Sequence, residues 1–337
     1  MKKNIVGIIY AIVHFSVEVA SFYLLFSRIS TGADWWGMAL LFDALAFIPQ
    51  SVFGVISDKY PKINMGFLGC ILMISALIIR NNTVSLILIA TGNALIHVHG
   101  AQHTLRNTDG KITPNAVFIG AGSFGVITGQ LLGKSDFSAG IFIPLVLMII
   151  SGALIWLVHN KNDIEKQDAT FNIASDKNIW IIVLFAFVGV AVRGYIAYAI
   201  PIEWNKTAAQ AIALFVSMGI GKMLGGILAD RIGFRKVTLL SLLGGLPFLL
   251  AGNTNMVLSL TGVAFFSMTM PVTVAILSSV LPKQTGYAFG ITTFGLFIGT
   301  APAFFIMPET LVAHQITLLV LTLTALPLIN VCIKKES

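Results

Sequence analysis

The chain has 337 residues, 56% of them hydrophobic and 10% charged, with a mean hydropathy of +0.90 and a net charge of +7. A soluble globular domain carries about 25% charged residues, so a water-soluble fold is excluded. Twelve apolar helices of about 20 residues consume about 240 residues, which leaves short loops and no room for a separate soluble domain.

The first helix, predicted at 4–26, follows Lys2 and Lys3. Glu18 interrupts its apolar run and no clean small-x-small site follows, so it reads as a retained helix rather than a signal peptide. His14 and Glu18 are four apart and share one face. The second helix, 35–56, opens with Trp35 and Trp36, rings suited to a membrane interface, and carries Asp43 and Gln50 before Gly54, Asp58 and Lys59. The third, 62–80, holds Cys70, and the fourth, 83–103, holds Asn93, His97, His99 and His103. His97 and His99 face different sides of a helix and no cysteine lies near, so no metal site is expected. The fifth, 115–133, places Gly120, Gly125 and Gly129 near one face, where backbones can approach closely. A sixth helix at 138–158 ends at the longest polar stretch, 159–177, which reads as a linker between 1–158 and 178–337.

The seventh helix, 178–201, carries Arg193, Tyr195 and Tyr198, and the eighth, 207–229, carries Lys222. The run from Gly226 to Lys236 follows, reading Gly-Ile-Leu-Ala-Asp-Arg-Ile-Gly-Phe-Arg-Lys. Helices at 236–251, 255–280, 286–307 and 311–333 complete the set; the last contains Cys332, a packing residue like Cys70. The halves repeat weakly at a shift of about 170. Gly54, Asp58 and Lys59 answer Gly226, Asp230 and Arg231. Gly120, Gly125 and Gly129 answer Gly290, Gly295 and Gly299, and Gly92 answers Gly262. Two six-helix bundles related by an axis along the membrane normal are expected.

Charge distribution sets the orientation. Lys2, Lys3, Lys59, Lys62, Arg106, Lys111, Lys161, Lys166, Lys177, Arg231, Arg235, Lys236, Lys283, Lys334 and Lys335 fall on one side, against Arg28, Arg80, Lys134 and Lys206 on the other. The positive-inside rule puts the first side, and both termini, in the cytoplasm. Topology thus accounts for the basicity, and nucleic acid is not an expected partner. Ionisable residues at membrane depth are costly and therefore functional candidates. Counting residues puts Glu18, Asp43 and Arg193 in one layer about 12 Å from the outer end, and Gln50, His97 and Lys222 nearer the cytoplasm, the last about 10 Å from the inner end. A Glu18–Arg193 pair is expected, either as a static tie or as part of a proton site. Glu18 or Asp43 would carry the proton, with His14 and His97 as a relay or as packing residues. Lys222 either faces the interior or snorkels.

The run at 226–236 resembles the loop between helices 2 and 3, and its copy between helices 8 and 9, of the major facilitator superfamily of transporters; 54–62 resembles a degraded first copy. His14-x-x-x-Glu18, the segment from Gly92 to His97 and the glycine-rich fifth helix are similar to the fosmidomycin-resistance type of exporter. The resemblance implies an all-α membrane protein of twelve transmembrane helices, a cell-membrane location, and a latch at the inner gate made by Gly54, Asp58, Lys59, Gly226, Asp230, Arg231, Gly233, Arg235 and Lys236. It also implies alternating access; Arg193, Lys222 and His97 favour a small organic anion, zwitterion or amphiphile as the substrate, with Gln50, Asn93, Tyr195 and Tyr198 as further candidate contacts. Export by proton antiport is the leading expectation, in a monomer without cofactor or metal; the alternatives are proton-driven uptake of an anionic nutrient, and a membrane-embedded enzyme or sensor on the same scaffold. No phosphate-binding Gly-x-x-x-x-Gly-Lys-Ser/Thr run is present, and no convergent nucleophile points to an enzyme.

Overall fold

A computed structural model describes every residue except 1–2, 33, 107, 138, 162–167 and 335–337. Lys2, Lys166 and Lys335 of the cationic set, and 162–167 of the linker, therefore lie outside the described residues.

Among the described residues, twelve helical spans follow one another. The first bundle contains α1 (Lys3–Leu24, continued by a π turn at Leu25–Ile29), α2 (Trp35–Lys59), α3 (Met65–Ile78), α4 (Asn82–Arg106), α5 (Thr113–Lys134) and α6 (Phe142–Lys161). The second contains α7 (Ile179–Ala199), α8 (Ala208–Ile232), α9 (Phe234–Ala251), α10 (Met256–Val280), α11 (Thr285–Thr300, with a 3-10 turn at Ala301–Phe304) and α12 (Leu311–Cys332). All but α3 are long and apolar enough to cross a membrane, and α3 is a shorter apolar helix. Large apolar side chains such as Ile149, Leu157, Trp180 and Val312 stay exposed on the outer faces, as in a protein whose solvent there is lipid.

Prolines account for three of the irregular spans. A proline has no N–H for the helix ladder, and α2 breaks at Ile48, just before Pro49. The α10 span breaks at Met268, ahead of Pro271, and α9 carries a π turn at Leu240–Gly244 ahead of Pro247. Side chains close several helix starts: Asn64, Asn178, Asn255 and Thr310 each accept an amide N–H, and Thr207 with Gln210 forms a capping box.

Several observed boundaries depart from the sequence expectation by three or four residues, among them the ends of α2 and α4 and the start of α6. The α8 helix does not stop at 229 but runs through Asp230 and Arg231 to Ile232. Gly233 alone separates it from α9, at φ 93° and ψ 152°, a region open essentially only to glycine. The expected loop is thus a helix end, one hinge residue and a helix start. The α6 helix extends to Lys161, so His159 is helical rather than part of the linker. Beyond the undescribed segment the linker is pinned to the second bundle: Ser279 Oγ accepts the Ile173 and Ala174 N–H groups, and Ala174 forms an isolated bridge with Ile333.

The bundles meet at two related interfaces, α2 against α11 and α5 against α8. The close-approach glycines repeat: Gly120 packs on the Gly219 carbonyl across the bundles and Gly290 on that of Gln50, while Gly125 and Gly129 face α1 as Gly295 and Gly299 face α7.

Candidate functional site

The end of the molecule that holds the linker is closed by two aspartates, each reaching into the opposite bundle. Asp58, at the end of α2, accepts the Gly286 and Tyr287 N–H groups at the start of α11, at 3.1 and 2.8 Å. Asp230, at the end of α8, accepts the Ile112 and Thr113 N–H groups at 2.9 Å each and the Thr113 hydroxyl at 2.6 Å, at the start of α5. Helix N-termini present orphan N–H groups and a positive dipole end, so a carboxylate is the complementary group. Gly54 permits the contact, because a Cβ there would collide with the Gly286–Tyr287 backbone; Gly226 lies equally close to Ala116.

The first copy of the latch is completed by residues that the sequence reading did not assign to it. Arg106, at the end of α4, pairs with Asp58 at 2.8 Å and donates across the bundles to the Thr285 hydroxyl (2.9 Å) and the Lys283 carbonyl (2.7 Å). Gln102 donates to Asp58 and accepts from Ser57. The missing Arg after Asp58 was the available signal. Lys59 instead lies 5.2 Å from the Tyr60 ring centre, and Arg231 and Arg235 make no ion pair among the described residues.

Within the first bundle lies a trio of His14, Glu18 and His97, 5%, 9% and 7% exposed. Glycines of α5 make the space: a Cβ on Gly122 would overlap the His14 ring, and one on Gly125 would press on Glu18. Glu18 Oε1 is 3.2 Å from His97 Nε2 and 3.4 Å from His14 Nε2. The two Nε2 atoms are 2.7 Å apart. His14 Nδ1 faces the Phe118 carbonyl at 2.7 Å, and His97 Nδ1 faces the Asn93 carbonyl at 2.9 Å. A carbonyl only accepts, so both Nδ1 atoms carry hydrogen. The Nε2–Nε2 bond needs one hydrogen more. A third proton shared there would make the pair a cation, and the Glu18 carboxylate lies within 3.4 Å of both Nε2 atoms, where it would balance that charge. Asn93 is held beside them, donating to Ser21 Oγ at 3.1 Å.

This geometry corrects the expected Glu18–Arg193 pair and the two-layer scheme. His97, assigned nearer the cytoplasm, touches Glu18, because residue counting along tilted helices does not measure lateral reach. Arg193 lies in the second bundle with its guanidinium 5.1 Å from the Phe266 ring centre, and its Nε has no hydrogen-bond partner. It lines a cavity of about 190 Å³ with Lys222, and Leu214, Met218, Val263, Phe266, Met270 and Leu296 supply apolar wall. Ile200 and Ile202, in the segment after α7, bound it towards the end opposite the linker. Lys222 points inward and donates to Ser123 on α5 at 2.9 Å, so it does not snorkel.

The remaining candidates are placed elsewhere. Gln50 folds onto its own helix, donating to the Ala46 carbonyl at 2.7 Å. Asp43 is half-buried on α2 and makes no hydrogen bond to a described residue. Tyr195 faces an outer groove of about 540 Å³ and donates to the Ile306 carbonyl at 2.8 Å. Tyr198 is 45% exposed and packs near Phe304. A second histidine group, His99, His103 and His159, lies at the linker end of α4 and α6.

No family model matches the chain, and no curated protein matches it by sequence. Solved structures do. The E. coli fucose:proton symporter FucP aligns at a TM-score of 0.62 and 17% identity, over 96% of this chain and 98% of that one. The human organic anion transporter MFSD10 aligns at 0.69 and 14%, over 97% and 99%. A bacterial homologue of the iron transporter ferroportin, in an outward-facing state, aligns at 0.58 and 15%, over 98% of each chain. FucP is a Major Facilitator Superfamily transporter. This chain accordingly has the major facilitator fold: an all-α, multi-pass membrane protein of two pseudo-symmetric six-helix bundles.

Proposed function

We propose that the protein is a proton-coupled secondary transporter of a small amphiphilic organic anion or zwitterion, working by alternating access. The observation that carries this reading is the division of labour between the bundles. Arg193 and Lys222 bring two cations, and no carboxylate, to one apolar-walled cavity, which suits a ligand with an anionic group on a hydrocarbon body. The first bundle carries the proton site. Glu18 with the His14–His97 pair stores a proton, and removing it would set two Nε2 lone pairs 2.7 Å apart. The rings would then have to part, moving α1 relative to α4. Proton loss and helix movement are thereby coupled.

The conformer has its linker end sealed by Asp58 and Asp230. With that end cytoplasmic, in the cell membrane, it is an inward-closed state of a monomer whose latch opens when substrate is exchanged with the inside. Export by antiport is the proposed direction. Uptake by symport is the second reading, favoured by the likeness to a fucose:proton symporter. The first test is a thermal-shift screen of organic anions against the wild type and the Arg193→Gln and Lys222→Gln variants. Hits are then followed in proteoliposomes with an imposed pH gradient, where the sign of substrate movement decides direction. Stabilisation by anions that both variants retain in full would overturn the assignment of the cavity.

A further inference from the structure

We infer that His99, His103 and His159 form a binding site for a divalent transition-metal ion of the zinc class, separate from the His14–Glu18–His97 trio. His99 and His103 are four apart on α4 and therefore share a face, and α6 supplies His159 from its last turns. One ligand atom from each lies within 4.8 Å of the others. Two nitrogens bound to one tetrahedral zinc ion sit roughly 3.3 Å apart, so small ring rotations close the set around an ion.

Two independent observations point to a ligand. His99 is 1% exposed, and its Nε2 has no hydrogen-bond partner, a state that costs about 1–3 kcal/mol for a buried polar atom and that coordination relieves. At His159, Nε2 lies 3.2 Å from the Lys62 carbonyl. That carbonyl requires hydrogen on Nε2, which leaves Nδ1 as a lone pair, and Nδ1 is buried without a partner. A backbone acceptor behind a metal-binding imidazole is the usual orienting arrangement. The Tyr10 ring packs 5.0 Å from the His103 ring and 5.9 Å from that of His99, giving the site an aromatic floor.

The donor set selects the ion. Three neutral imidazoles suit zinc, copper or nickel, whereas magnesium and calcium require oxygen ligands. The other trio is kept apart from this assignment because its two Nε2 atoms close on each other at 2.7 Å and would have to part to admit an ion. The half-buried His159 provides the approach from the linker end. An ion there would tie α6 to α4 within about one helical turn of the latch residues Gln102 and Arg106.

The test is Zn²⁺ binding to the purified full-length protein in detergent, by competition with a chromophoric chelator, alongside Mg²⁺ as control. The site predicts saturable Zn²⁺ binding, one equivalent of which His159→Ala weakens by about tenfold or more, while His97→Asn leaves that equivalent in place. His159 is at the rim, and metal-free thermal unfolding of the variant checks that it is folded. Co²⁺ substitution gives a second readout, the visible absorption of a nitrogen-ligated tetrahedral ion, lost in His159→Ala. Absence of saturable Zn²⁺ binding, unchanged binding in a folded His159→Ala protein, or loss with His97→Asn instead would each overturn the inference.

Discussion

Replacing Glu18 by Gln keeps the size of the side chain and removes the charge that balances the shared proton. The carboxylate lies 3.2 and 3.4 Å from the two Nε2 atoms. Unit charges at that separation attract by about 5 kcal/mol at an effective dielectric of about 20, and Gln retains a hydrogen bond, so a loss of about 3 kcal/mol is expected, the lower end for breaking a buried pair. That corresponds to more than about a hundredfold in the equilibrium holding the third proton. The variant should therefore lose pH-gradient-driven accumulation in proteoliposomes by about tenfold or more. Substrate-for-substrate exchange without a gradient should stay within about threefold of wild type, because the Arg193–Lys222 cavity is untouched. Accumulation at full strength in Glu18→Gln would refute the assignment of Glu18. Loss of exchange together with accumulation would show that the trio serves the fold or the substrate rather than the proton.

Three other outcomes follow from the geometry. Asp230→Asn weakens three bonds to the start of α5; at about 1–3 kcal/mol for a charged partner, a cysteine at Ala116, packed against Gly226, should react with maleimide about fivefold faster or more than in the parent, and equal rates would exclude a latch. Arg193→Gln and Lys222→Gln should each weaken binding of the screened anion by about tenfold, read by calorimetry, whereas Tyr195→Phe should leave it unchanged. Gly233→Ala forces a side chain into φ 93°, costing about 1–3 kcal/mol and lowering the unfolding temperature; an unaltered midpoint would mean that the hinge relaxes freely.

Periodicity and composition made the architecture legible. Long apolar runs leave few alternatives in a bilayer, and the recurrence of Gly-x-x-x-Asp revealed the two bundles. Both aspartates were also legible as latch residues, through the resemblance carried by the runs at 54–62 and 226–236. What the sequence concealed was lateral contact. His97 lies 83 residues from His14, and only the crossing of α1 over α4 brings them to 2.7 Å. Arg106 appeared as one cation among many, because its partners Lys283 and Thr285 are in the other bundle. His159 looked like linker because a polar last turn resembles a loop when read from composition. Arg193 was matched to Glu18 by depth, whereas an apolar cavity and an aromatic ring proved to be its neighbours.

The swapped aspartates have a kinetic consequence. Two donations to Asp58, two from Arg106 and three to Asp230 run from one bundle to the other. Rigid rocking stretches them together, because each bundle moves as a body. Opening at that end must therefore surmount a barrier made mostly of enthalpy, with water re-entering only after the bonds part. Turnover should slow steeply on cooling, and chilling should trap molecules in the conformer described above.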